Sequence, residues 1–129
     1  MNDWVRCVRE FHVKYGAPVA ERPGLIDEAR ALLRASLIIE EAEETVGAIE
    51  YPTDSFALDD IADGLADTIY VCIGAALEYG IDIDRVFSEV HRSNMTKTVG
   101  HARSDGKIMK GPDFEPPRIR EIIEEDTKR

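Results

Sequence analysis

Three observations predict an all-α fold, a four-helix bundle. Apolar residues recur at helical spacing in four separate stretches, no stretch alternates as a strand would, and short connections marked by Gly, Pro or capping residues join them. Hydrophobic residues make up 43% of the chain, mostly Ala, Ile, Leu and Val, and aromatics only 7%. That mixture suits helices packed closely together.

The first helix is expected to start at an Asn2 or Asp3 cap and run to about Tyr15, with Trp4, Val8, Phe11 and Tyr15 on one face. Gly16 and Pro18 end it, and residues 17–24 form a loop. A second helix runs from about Asp27 to Glu50, closed by Tyr51 and Pro52, and a third from about Leu58 to Tyr79, closed by Gly80. Asp82 or Asp84 caps a fourth through about Ser93. Residues 98–117 carry three glycines and three prolines and read as irregular, and Pro117 opens a short final helix with Ile119, Ile122 and Ile123 on one side. The whole chain, 1–129, is therefore expected to be one domain, with a helical core at about 2–95 and an irregular C-terminal segment at about 98–129.

The formal net charge of -10 excludes some classes of function. So acidic a surface repels a phosphate backbone, so no nucleic acid and no anionic membrane is expected as partner. A small phosphorylated ligand remains open if cations bridge it to carboxylates. Cys7 and Cys72 lie inside apolar helical patterns without a CxxC and are expected to be buried free thiols. No stretch approaches the roughly 20 apolar residues of a membrane helix, and the start lacks a signal-peptide pattern, so a cytoplasmic location is expected.

The chemistry concentrates on two helices. Glu40, Glu41 and Glu44 form an EExxE pattern in which Glu40 and Glu44 stack one turn apart with Glu41 beside them. Leu33, Leu37 and Ala48 lie close to this carboxylate line, an odd setting for a solvated face. Glu43 projects elsewhere. On the third helix Asp60, Asp63 and Asp67 share one stripe, with Ile61, Leu65, Ile69, Cys72 and Ala76 on the other, and no basic residue occurs between Arg34 and Arg85. Carboxylates this close raise one another's pKa unless cations neutralise them. Hard oxygen donors without thiolate or imidazole point to Mg²⁺, with Mn²⁺ able to substitute. A di-iron centre would call for Glu-x-x-His pairs, and His12, His91 and His101 supply none.

Glu40-Glu41-x-x-Glu44, followed on the next helix by an acidic pair ending in Leu65-Ala66-Asp67, resembles the MazG-like all-α NTP pyrophosphatases. The likeness continues through Phe11-His12, Gly16-x-Pro18, Asp67-Thr68-Ile69-Tyr70-Val71, Gly80-Ile81-Asp82, Ser93-Asn94-Met95-x-Lys97, Asp105-Gly106-Lys107 and Pro116-Pro117. One position departs. The second motif of that superfamily is usually Glu-x-x-Asp, and Gly64 stands where its glutamate would be, leaving Asp60 and Asp63 both open as the partner of Asp67.

The resemblance implies on the order of two or three Mg²⁺ ions held by Glu40, Glu41, Glu44 and Asp67, with Asp63. It implies hydrolysis of a (d)NTP to the monophosphate and pyrophosphate, a water attacking the α-phosphorus and Glu41 or Glu44 handling that water. Glu40, Glu41, Glu44 and Asp67 are thus the catalytic candidates. Lys97, Lys107 and Lys110 are candidates for the phosphates, and Asn94 for sugar or base, unless it caps a helix. A homodimer or homotetramer is implied as well, consistent with a second helix apolar on almost every side. The chain as a whole leans to a phage-like branch preferring (d)GTP, with dUTP or dCTP as the alternative. A non-catalytic nucleotide-binding bundle is the reading from a different class.

Overall fold

The computed structural model describes residues 1–52 and 55–129. The fold is all-α. Five helices appear in order: α1 (Asp3–Tyr15), α2 (Glu28–Glu50), α3 (Ala57–Tyr79), α4 (Ile83–Asn94) and α5 (Ile119–Thr127). No strand occurs among the described residues beyond an isolated antiparallel bridge between Ala102 and Ile108. The helices fall into two compact units, Met1–Ile81 with α1 to α3 and Asp82–Arg129 with α4 and α5. No helix among the described residues is long and apolar enough to cross a membrane.

In the first unit α1 and α2 begin, and α1 and α3 end, at residues that satisfy their termini. Asn2 accepts the Val5 N–H at 2.9 Å and Asp27 the Arg30 N–H at 2.9 Å, each occupying one of the free donors of a first turn. α3 stops at Gly80, whose φ of 67° is left-handed and whose N–H bonds back into the last turn. A side chain there would also strike the Arg22 carbonyl.

The apolar core is small. Val5 and Val8 of α1 meet Ile73, Ala76 and Leu77 of α3, with His12 buried beside them. The expected α1 face was Trp4, Val8, Phe11 and Tyr15, but the buried stripe runs through residues 5, 8 and 12. Trp4, Phe11 and Tyr15 are exposed. Phe11 packs on its flank against Tyr15 at 4.6 Å and edge-on against Tyr70 at 5.6 Å, so the aromatics border the core and do not fill it. Cys7 and Cys72 are free but exposed, not buried, because each sits about 100° round its helix from a buried neighbour, Val8 or Ile73. The apolar stripe expected on α3 is likewise open to solvent at Leu65, Ile69 and Cys72.

Between α2 and α3, the pair in broadest contact, the seam is polar. The fully buried members of α2 are Arg34 and Thr45, with Glu41 half-buried between them on the same face. At one end the Glu78 carboxylate, with no exposed side-chain surface, takes a two-pronged pair from Arg30 at 2.8 and 2.7 Å and a contact from Arg34 at 3.3 Å. Arg34 also donates to the Val71 carbonyl at 2.8 Å. Gly74 makes this possible, since a Cβ there would collide with the Arg34 guanidinium and come within 3.0 Å of His12 Nε2. His12 is structural: its Nδ1 lies 2.9 Å from the Pro18 carbonyl, which can only accept, so Nδ1 carries the proton.

In the second unit Asp82, not Asp84, caps α4 by accepting the Arg85 N–H at 3.2 Å. Arg85 ties α4 to α5 through Asp126 at 2.8 Å and Glu125 at 2.7 Å. Fully buried Ser93 donates to the Glu115 carbonyl at 2.7 Å. Within 98–117, Arg103 N–H meets the Lys107 carbonyl and Met109 N–H the His101 carbonyl, each at 2.7 Å, closing a small turn around Gly106. Ile119, Ile122 and Ile123 are half-buried on one side of α5, as their spacing predicts.

Candidate active site

Of the five carboxylates singled out in the sequence, Glu41 feels the charges of the other four. Glu41 lies on the α3-facing side of α2, two turns after Arg34 and one before Thr45, which places it in the seam. Its proton affinity is raised, first by loss of water and then by the charges of Glu44, Asp67, Glu40 and Asp63. Of the two candidates left open, Asp63 is one whose charge bears on Glu41. Glu41 Oε2 is shut off from water and has no hydrogen-bond partner. Glu40, Glu44 and Asp63 are exposed, and Asp67 is half-buried.

A buried carboxylate oxygen without a donor, on a residue that feels the charge of four other carboxylates, is what a cationic ligand would resolve. The basic side chains of the seam are occupied elsewhere, Arg30 and Arg34 both being turned to Glu78. The donor set is all hard oxygen, the kind that Mg²⁺ and Mn²⁺ prefer. Among the described residues no three His, Cys, Asp or Glu side chains are gathered closely enough to hold an ion as they stand. In donor chemistry, and in the unpartnered Glu41 Oε2, these residues fit a divalent cation.

Gly64 explains its own departure from the expected motif. A Cβ at this position would lie 2.6 Å from Thr45 Oγ1 and 3.1 Å from Thr45 Cα, so α2 and α3 approach here at backbone distance. A glutamate there would force Thr45 or the helices to shift. Asp63, one residue earlier, is exposed.

Residues 8–94 match the family described as phosphoribosyl-ATP pyrophosphohydrolase. The chain belongs to this family. It is a member of the MazG-like all-α NTP pyrophosphatase superfamily, in agreement with the resemblance read from the sequence. The matched stretch contains Glu40, Glu41, Glu44, Asp63, Asp67 and Asn94, whereas Lys97, Lys107 and Lys110 lie beyond it. No curated protein matches the chain.

The nucleotide-contact candidates all lie in the second unit. Asn94 is the last residue of α4 and exposed, and Met95, not Asn94, is the cap. Lys97 is half-buried, and its N–H bonds to the Asn94 carbonyl at 3.2 Å. Lys107 and Lys110 are exposed, the Lys110 ammonium lying 4.9 Å from the centre of the Phe114 ring.

Sequence reasoning missed Arg30, Arg34 and Glu78, and the pair Thr45 and Thr68, whose hydroxyls stand 3.0 Å apart across the seam. A signal was present for two of them. Arg34 and Thr45 share the helical face of Glu41, and polar residues repeated on one face of an otherwise apolar helix mark a polar interface.

Proposed function

We propose that the chain is a divalent-cation-dependent nucleotide pyrophosphohydrolase, cutting a nucleoside triphosphate between its α and β phosphates to give a monophosphate and pyrophosphate. The observation that carries this is Glu41, a carboxylate with a buried, unpartnered oxygen that feels the charge of four other carboxylates. Membership of a pyrophosphohydrolase family supports the reaction class. Glu40, Glu41, Glu44, Asp63 and Asp67 would hold Mg²⁺ or Mn²⁺. When bound, such ions screen the charge of the triphosphate and make a water more acidic. Glu41 or Glu44 would take up the proton of the attacking water. Attack at the α-phosphorus breaks the bond to the bridging oxygen, and pyrophosphate leaves.

(d)GTP is the substrate favoured by the sequence reading, with dUTP and dCTP as alternatives, and the family match adds phosphoribosyl-ATP as a second reading. Asn94, Lys97, Lys107 and Lys110 are the proposed contacts to the nucleotide. A homodimer or homotetramer is proposed as the working unit. Its support is the exposure of Leu32, Leu33, Ile39, Val46 and Ile49 along α2, more apolar surface than one helix ordinarily leaves open.

The test is pyrophosphate release from a panel of (d)NTPs and phosphoribosyl-ATP with Mg²⁺ or Mn²⁺ and an EDTA control. Metal-dependent release that disappears in Glu41→Gln is the expected result, and the preferred nucleotide selects the branch. A chain that binds nucleotide but releases no pyrophosphate from any of them is a binding bundle, and the proposal is then wrong.

A further inference from the structure

Three short oxygen contacts cross or flank the seam beside Glu41. Thr45 Oγ1 lies 2.7 Å from the Glu41 carbonyl, Thr68 Oγ1 lies 2.8 Å from the Gly64 carbonyl, and the two hydroxyls are 3.0 Å apart. Each threonine has one hydroxyl proton, and the carbonyls have none to give. Two protons therefore serve three contacts, and the cross-helix contact forms only when one hydroxyl turns from its own helix toward the other. Thr45 is buried, and Gly64 removes the side chain that would hold the helices apart at this level.

These residues adjoin the carboxylates. Thr45 is one turn beyond Glu41 on α2, and Thr68 follows Asp67 directly on α3. We infer that the Thr45–Thr68 hydroxyl pair is a positioning device that sets Glu41 against Asp67 and so determines how tightly a divalent cation is held there. This rests on the carboxylate reading above. The threonines touch neither ion nor substrate. They act through the Glu41 backbone and through the position of Asp67 beside it, as supporting contacts behind a ligand shell commonly do.

The test is Mn²⁺ binding to the full chain, followed by calorimetry and by the paramagnetic signal of free Mn²⁺, with no nucleotide present. Thr45→Val and Thr68→Val keep the side-chain shape and remove the hydroxyl. Each is expected to weaken Mn²⁺ binding by about tenfold, the lower end of what losing a supporting contact costs. The double variant should lose less than the sum of the two single losses, because both delete the shared hydroxyl contact while each also deletes its own contact to a carbonyl. Thr45→Ser, which keeps the hydroxyl, should bind as the unaltered chain does. Unchanged Mn²⁺ affinity in the valine variants, even with a lower Tm, overturns the inference by showing a structural role alone. Additive losses in the double variant overturn it too. Failure of the underlying reading looks different: Glu41→Gln would then bind Mn²⁺ as tightly as the unaltered chain, or neither would bind it, and the inference falls with it.

Discussion

Replacing Glu78 by Gln removes one charge from the best-buried ionic group of the molecule with little change in shape. The carboxylate has no exposed side-chain surface and faces two guanidinium groups. Arg30 keeps 32% of its side-chain surface in water and can turn outward, but Arg34 keeps only 9% and cannot. The variant therefore strands the Arg34 charge, whose Nε already lacks a partner. Breaking a buried pair in this way costs about 3–5 kcal/mol. With an unfolding entropy of about 2.1 cal/mol/K per residue, each kcal/mol is worth about 4 °C in a chain of this length, so Tm should fall by about 10–20 °C. Thermal unfolding followed by the helical circular dichroism signal measures this directly. Adding Arg34→Met to Glu78→Gln removes the stranded charge and should return part of the loss. A fall in Tm of less than about 3 °C in Glu78→Gln would refute the reasoning, because it would mean Arg34 finds water where the structure shows none.

Gly64→Ala should lower stability by about 1–2 kcal/mol even though alanine is the better helix former, because its Cβ meets Thr45 at backbone distance; Gly64→Glu should be worse, and chemical denaturation would rank the two. The Glu89 carboxyl is held down from 4.5 to about 2 by hydrogen bonds from Arg92 and from the Arg118 N–H. Since its folded pKa is depressed, the stability it contributes is present above 4.5 and is lost as pH falls through about 2. Protection of the Arg118 amide, its exchange relative to an unstructured amide at the same pH, should therefore be kept at pH 4.5 and fall toward 2; its loss already at 4.5 would contradict this. Cys7 and Cys72 should both react with an aromatic disulfide reagent without denaturant, and protection of either would show that another copy covers it.

Helix positions were legible in the sequence because capping and stop residues act locally. Asn2, Asp27, Gly80 and Asp82 each do in the structure what their chemistry predicts. Burial was less legible. The spacing of Trp4, Val8, Phe11 and Tyr15 defines a helical face, but periodicity alone cannot say which of two adjoining stripes meets a neighbour, and α1 presents the other. The candidate carboxylates stood out because five acidic residues with no basic residue in sequence between Arg34 and Arg85 are a strong local pattern. Arg34, Glu78, Thr45 and Thr68 escaped because their meaning lies in pairs formed across helices. The role of Gly64 emerged only from what it faces, for a missing side chain has no chemistry of its own to read.

The polar seam between α2 and α3 bears on how many structures the chain can adopt. An apolar interface between two Ala-rich helices tolerates sliding by a turn, because one aliphatic contact replaces another at little cost. Here a slip of one turn, about 5.4 Å, would part Glu78 from both arginines, take Arg34 from its seat at Gly74 and move Thr45 off Gly64. Each loss leaves a buried polar group bare, so the penalties accumulate where hydrophobic contacts would merely be exchanged. The seam thus discriminates between registers more than it adds strength, and one pairing of the two helices stands well apart in free energy from its near alternatives.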